Sequence, residues 1–356
     1  MLYSRYFNAN LSDLSTYRTQ LMGIATLMII ICHANAYHIL LPSSLASLLR
    51  WGNWGMDIFL FLSGLGAYYS LSKYNLSNKD GFTFYYEKRS YRILVPYFIV
   101  YVPYCLIFML LGKYSLSNSL LCLNTLEYWL FHRGVWFVSM ILILYLVAPF
   151  LHKALSNKYK WLIALGIIIA LMVLCNIPII NNSSSSILHN IQWAFNRVSN
   201  FILGITIGYS CKNCTQIAVS QVLLISLVSI MISVSIGVWK STWLIVPIML
   251  YFFVLLIKIL EATWIDRSLK FLGKISFESY LTNITLKSIL GVLIPAYFTS
   301  SAFCGNYLDY AIVIVAGLFL AKIIHDLSQK ITASLSAFSN SAINLSLCLI
   351  FIIGLY

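Results

Sequence analysis

Apolar runs long enough to cross a bilayer recur along the whole chain, separated by short polar segments. About 20 mostly apolar residues in a helix cover the hydrocarbon core. Backbone N–H and C=O groups find no water there, so each run is predicted to be helical. The pattern predicts ten spans, at 20–40, 54–72, 93–112, 135–152, 161–180, 197–210, 216–238, 243–260, 276–298 and 308–325. The sixth is short and holds Gly204 and Gly208, which suggests a tilted or broken helix. The tail 344–356 is apolar but too short for a full span. An incomplete eleventh span, an interfacial helix and the end of a kinked helix all remain open for it.

The polar segments give the runs a direction. With ten spans and a cytoplasmic start, 17 of the 23 Lys and Arg residues fall in inside segments. Five (Arg50, Lys113, Arg133, Arg197 and Lys240) fall outside, and Lys287 lies within a span. Cytoplasmic loops carry the excess of cations, so this asymmetry supports both the span count and the orientation. Segment 73–92 is the most basic inside loop. Segment 181–196, with four consecutive serines, reads as the most flexible outside one. The first residues are polar and mixed, so the first span itself is expected to direct insertion. A single transmembrane domain over 1–356 is expected, with an all-α fold.

Composition narrows the class. Hydrophobic residues make up 60% of the 356 and charged residues only 9%. Soluble domains carry about 25% charged residues. The net charge of +13 sits in the short loops, which points to a membrane surface and membrane lipids rather than nucleic acid. Cys211 and Cys214 form a lone CxxC with no second ligand pair nearby, so no metal site is expected.

Ionisable groups at membrane depth are costly, which makes each a functional candidate. His33 lies deep in the first span. A neutral imidazole can take a proton near pH 7, as a general base must, or it can simply bond a neighbouring helix. Asp57 lies just inside the outer end of the second span. It suits a carboxylate that orients His33, or one that caps helix or loop amides. Arg89 and Arg92 stand where the basic loop meets the third span and share one helix face. Their forked guanidinium groups suit phosphate, whether a ligand's or a lipid headgroup's. Trp136 and Phe137 open the fourth span as interfacial aromatics, and Glu127 is an outside acid able to touch a substrate hydroxyl. Tyr37, His38, His152 and His189 carry no sharper reading.

Together these segments resemble the acyltransferase-3 family of integral membrane acyltransferases. LMGIATLMIIICH (21–33) is similar to its first-span pattern of an Arg, ten residues and a His. GMDIFLFLSG (55–64) is close to its second-span signature, and FYYEKRSYRILVPYF (84–98) to its RxxR lead into the third span. GVWFVSMILILYLVAPFL (134–151) and FLGKISFESYLTN (271–283) resemble later blocks, in the same order. Two positions depart from the pattern. The first-span Arg falls on Met22, with Arg18 one turn earlier and about 60° around the helix from His33. The His that often ends the late block is Asn283, which hydrogen-bonds but takes no proton at neutral pH.

The resemblance implies transfer of an acyl group, usually acetyl, from coenzyme A to a sugar hydroxyl. The donor would be cytoplasmic acetyl-CoA or another acyl-CoA, used as a co-substrate with no tightly bound cofactor. The acceptor would be an envelope glycan or a lipid-linked sugar. His33 and Asp57 would be catalytic. Arg89, Arg92 and Arg18 would bind the coenzyme, and Trp136, Tyr37 and Asn283 the acceptor. The setting implied is a bacterial inner membrane with the N-terminus cytoplasmic. The rivals are a polysaccharide polymerase or flippase, for which the outside segments are short and poor in Arg, and a transporter, for which no paired Gly/Pro breaks stand in two halves.

Overall fold

Long apolar stretches with few breakers leave the backbone one way to satisfy its own hydrogen bonds, and the described residues take it. The computed structural model describes residues 10–34, 51–74, 79–176, 185–212, 245–294 and 307–337. Among them there is no strand. The helices are α1 (Arg18–His33), α2 (Trp54–Leu71), α3 (Lys79–Leu110), α4 (Leu116–Leu123), α5 (Leu126–Phe131), α6 (Trp136–Leu155), α7 (Lys160–Asn176), α8 (Ser186–Phe195), α9 (Val198–Lys212), α10 (Val246–Ile259), α11 (Trp264–Lys274), α12 (Ser276–Leu293) and α13 (Tyr307–Ala337). The expected span at 216–238 and the tail 344–356 lie outside the described residues. Every other expected span carries a helix.

Stretches of α3, α6 and α13 (Gly81–Leu110, Trp136–Leu155 and Tyr310–Ser336) are each long and apolar enough to cross a membrane, and α1, α7 and α10 are shorter apolar helices. On α13, Ile312, Val315 and Phe319 are 58%, 67% and 66% exposed. Water would not tolerate such a continuous apolar face, but lipid does. The chain is an all-α membrane helix bundle.

Three local expectations need correction. The basic segment 73–92 is helical from Lys79 onward and continues into the third span as α3. Pro96 and Pro103 stay inside that helix, as membrane helices allow. In the serine-rich segment, Ser186–Phe195 is helix α8. The sixth span is a regular helix, α9, and its glycines serve close packing rather than a break.

The chain divides into two compact units. The first comprises residues 1–25, 54–81 and 143–274. Its centre is the α2–α9 pair, where a Cβ on Gly64 would lie 2.1 Å from the Phe201 carbonyl oxygen and one on Gly204 2.0 Å from that of Phe61. The two backbones therefore touch, as small residues permit in membrane helices. Nearby, a Cβ on Gly273 would lie 1.8 Å from the Thr19 carbonyl oxygen, so α11 sits directly against the start of α1. Gln20 reinforces this contact by donating to Asp266 at 3.1 Å, and Lys270 pairs with the same carboxylate at 2.8 Å. Burial alone would raise the Asp266 carboxyl, but these two hydrogen bonds outweigh it and hold the group below the usual carboxylate range.

The second unit comprises residues 26–53, 82–142 and 275–356. Here Thr282 on α12 donates to the Gly317 carbonyl on α13 at 3.1 Å. Aromatic rings stack along α3, with Tyr97 on Tyr101 at 4.5 Å and Tyr104 against Phe108 at 4.4 Å. The Tyr97 hydroxyl donates to the Cys122 carbonyl at 2.6 Å, which fastens α4 to α3. Tyr310 on α13 donates to the Ile30 carbonyl on α1.

A methyl group at Gly204 has no room unless α2 and α9 part. Overpacking of this kind costs about 1–3 kcal/mol or more. Gly204→Ala is expected to lower the thermal midpoint of the purified protein in detergent. An unchanged midpoint would contradict the backbone contact.

Candidate active site

His33 is the last residue of α1, in the second unit. Its Nδ1 lies 2.5 Å from Oδ1 of Asn283 on α12. An amide oxygen only accepts, so Nδ1 carries the proton and donates it. The neutral ring then presents its lone pair at Nε2. Among the described residues nothing bonds to that nitrogen. This is the arrangement a general base requires: one nitrogen anchored, the other available.

Asp57 has other partners. It is fully buried in the first turn of α2, where the helix dipole favours a carboxylate. Arg197 donates to one oxygen at 2.8 Å and Asn200 to the other at 3.0 Å, all within the first unit. The Arg197 guanidinium also lies over the Trp193 ring at 4.6 Å. The contacts shown for Asp57 are these, within the first unit, and its expected role in orienting His33 stands as a proposal. Asn283 is the residue that meets the imidazole, and Asp57 joins α2 to the start of α9. A buried carboxylate needs donors close by, and a guanidinium with an amide satisfies it more fully than one imidazole.

The remaining candidates are distributed as follows. Arg18 Nε donates to the Leu62 carbonyl at 3.1 Å, and the guanidinium lies against Gly66 on α2. Arg89 is half-buried on α3 with its guanidinium 5.7 Å from the Tyr85 ring centre, and Arg92 is exposed one turn on. Trp136 is half-buried at the first position of α6, edge-on to Phe137 at 6.1 Å. Tyr37 and His38 lie outside the described residues. His152 approaches Ser72 at 3.2 Å and lies tilted against the Tyr68 ring at 4.9 Å. His189 bonds the Ser185 carbonyl within its own helix.

Sequence reasoning undervalued three groups. Asn283, expected at the acceptor, bonds the histidine through its amide oxygen. Glu127 is buried and accepts from the Tyr114 hydroxyl at 2.9 Å. Glu278 is buried in the first turn of α12 and lies 3.1 Å from His325. The first had a signal, being the position where the late block usually holds an imidazole. The other two pairings join residues on different elements, and no spacing advertises them.

The fold is that of a helical membrane protein, with a half-buried imidazole at the end of α1 hydrogen-bonded to an amide on α12. The chain belongs to the acyltransferase-3 family: the family model, described as an acyltransferase domain, matches residues 20–326. It is a membrane acyltransferase. No curated protein and no solved structure matches it.

Removing one partner from a buried ion pair strands the other, at a cost of about 3–5 kcal/mol. Asp57→Asn is expected to lower the thermal midpoint sharply, as is Arg197→Met. If Asp57→Asn instead leaves stability intact while transfer is lost, Asp57 belongs to the chemistry and not to the scaffold.

Proposed function

We propose that the protein moves an acetyl group from acetyl-CoA to a hydroxyl of a cell-envelope glycan or lipid-linked sugar, with His33 as the general base. The Nδ1–Asn283 hydrogen bond carries this reading, because it leaves Nε2 basic. The acceptor O–H gives its proton to Nε2 as the oxygen attacks the thioester carbonyl. A C–O bond forms and the carbonyl π pair moves onto oxygen. Collapse breaks the C–S bond, and the imidazolium returns the proton to the departing thiolate. Asn283 keeps the ring oriented through both steps.

The setting proposed is a bacterial inner membrane with the N-terminus cytoplasmic, so acetyl-CoA arrives from the side of Arg89 and Arg92. Their place on one face of α3 supports a role on the coenzyme's phosphates; Arg18, in the first unit, is likewise proposed as a coenzyme-binding cation in place of the family Arg at Met22. Trp136 and Tyr37 supply aromatic surface for the acceptor sugar.

Mass spectrometry of the envelope glycan tests the reaction directly. Cells carrying the wild-type gene should add one acetyl mass that cells carrying His33→Ala lack, although the variant reaches the membrane in equal amount. Loss of a general base costs on the order of 10²–10⁴ in rate. Equal acetylation by the variant would sink the assignment.

The arginines predict a different signature. Each charge-assisted hydrogen bond contributes about 1.5–3 kcal/mol. Arg89→Ala should therefore raise the KM for acetyl-CoA by about 10-fold or more. A donor dependence identical to wild type would return Arg89 to contact with lipid headgroups.

A further inference from the structure

Packing uses only one side of α11. Asp266, Leu269, Leu272 and Gly273 are buried and share one arc of the helix. That arc meets the start of α1, where Gly273 touches the Thr19 backbone and Gln20 donates to Asp266. The opposite arc is exposed. Trp264 is 72% exposed and Phe271 43%, and at i and i+7 they form one ridge. Arg267, Lys270 and Lys274 are exposed along the flank of that ridge. The charge on this face has one sign. The carboxylate of Asp266 is buried and held by Gln20 and Lys270. Glu261 stands before the helix begins and accepts from the Tyr17 hydroxyl at 3.5 Å. The helix is also tied to the bundle at both ends, all within the first unit. Residues 260–263 separate it from the apolar helix α10, and four residues of chain reach at most about 14 Å. Gly273 lies against the first turn of α1. α11 therefore sits where α10 ends and α1 begins, at the edge of the hydrocarbon.

We infer that α11 is an interfacial helix whose exposed face binds anionic phospholipid. The inference stands on the membrane bundle and not on the acetyl-transfer reading. Water disfavours an exposed Trp–Phe ridge, whereas the headgroup region suits it. There the rings bury their apolar faces and the indole N–H still finds an acceptor. With the ridge in the interface, the basic flank lies at the depth of the phosphates. Lys and Arg stems run along apolar surface and deliver their charges to that level. Guanidinium and ammonium groups then bond the phosphodiester oxygens. A zwitterionic headgroup offsets its phosphate with its own ammonium, and an anionic headgroup does not, so three cations on one flank select the anionic lipid. A soluble phosphate ester would meet the same cations but would leave the aromatic ridge in water.

The full chain in phosphatidylcholine nanodiscs tests this through the emission of Trp264. The chain has nine tryptophans, so the signal is the difference between wild type and Trp264→Phe. The quenchers are phosphatidylglycerol and phosphatidylcholine with bromine high on the acyl chains, compared at equal mole fraction. Brominated phosphatidylglycerol should quench Trp264 more strongly. One cation near an anionic surface strengthens association about fivefold. Arg267→Gln combined with Lys274→Gln should therefore lower the preference about fivefold or more. The thermal midpoint should not change, because both side chains are exposed and Lys270 stays with Asp266. On the unaltered chain, 1 M salt shortens the screening length to about 3 Å and should lower the preference without any substitution. Equal quenching by the two lipids overturns the inference, since the face would then select no headgroup. No quenching by either overturns it too, because α11 would face water. So does a preference that survives both the double substitution and high salt. A preference abolished by coenzyme A or inorganic phosphate at constant ionic strength would assign the cations to a soluble phosphate instead, and the lipid site would fall.

Discussion

A polar group held in hydrocarbon must find its partner within the protein, and this constraint organises the chain. It makes the backbone helical wherever the sequence is apolar. It also governs the side chains. Asp57, fully buried, is met by both Arg197 and Asn200, and His33 by Asn283. The two centres answer the constraint differently. At Asp57 opposite charges and an amide close on one another and fix two helices. At His33 both partners are neutral, so the imidazole is held without being charged. A neutral pair is cheaper to keep at depth than an ion pair, and it leaves the ring free to change its protonation state during a reaction.

Glycine plays the same part for the backbone that these pairs play for side chains. Gly64 and Gly204 bring α2 and α9 to backbone contact, and the Asp57–Arg197 pair lies toward the ends of the same two helices. Lipid tails give helices no hydrophobic reason to associate, so close packing and buried hydrogen bonds must hold them. In this pair both act along one seam.

Much of the fold was legible in the sequence because hydropathy reports the solvent directly. Nine of the ten expected spans carry helices, and the tenth, at 216–238, lies outside the described residues. The misreadings share a cause. Lys79–Arg92 looked like a loop because it is charged, yet a helix emerging from a membrane stays helical when its residues allow it. Gly204 and Gly208 looked like breakers because helix propensity in water disfavours glycine, whereas in a packed membrane pair its small size decides. At the site, His33 stood out because an imidazole in an apolar run has a cost. Asn283 stood out only as a departure from the family pattern, because sequence spacing says which residues share a helix face but not which helices meet. The partner of Asp57 was equally hidden: only the three-dimensional arrangement shows Arg197, 140 residues away, donating to it.

The departure at position 283 has a chemical meaning. A histidine there would face His33 with a ring able to donate or accept from either nitrogen, and two tautomeric arrangements would compete. The Oδ1 of Asn283 only accepts, so it selects the Nδ1–H form of His33 and places the lone pair at Nε2. Under the proposed transfer, an aspartate would select the same form but would add a negative charge near the acyl carbon, where attack already builds one up. An amide therefore gives the orientation without the charge.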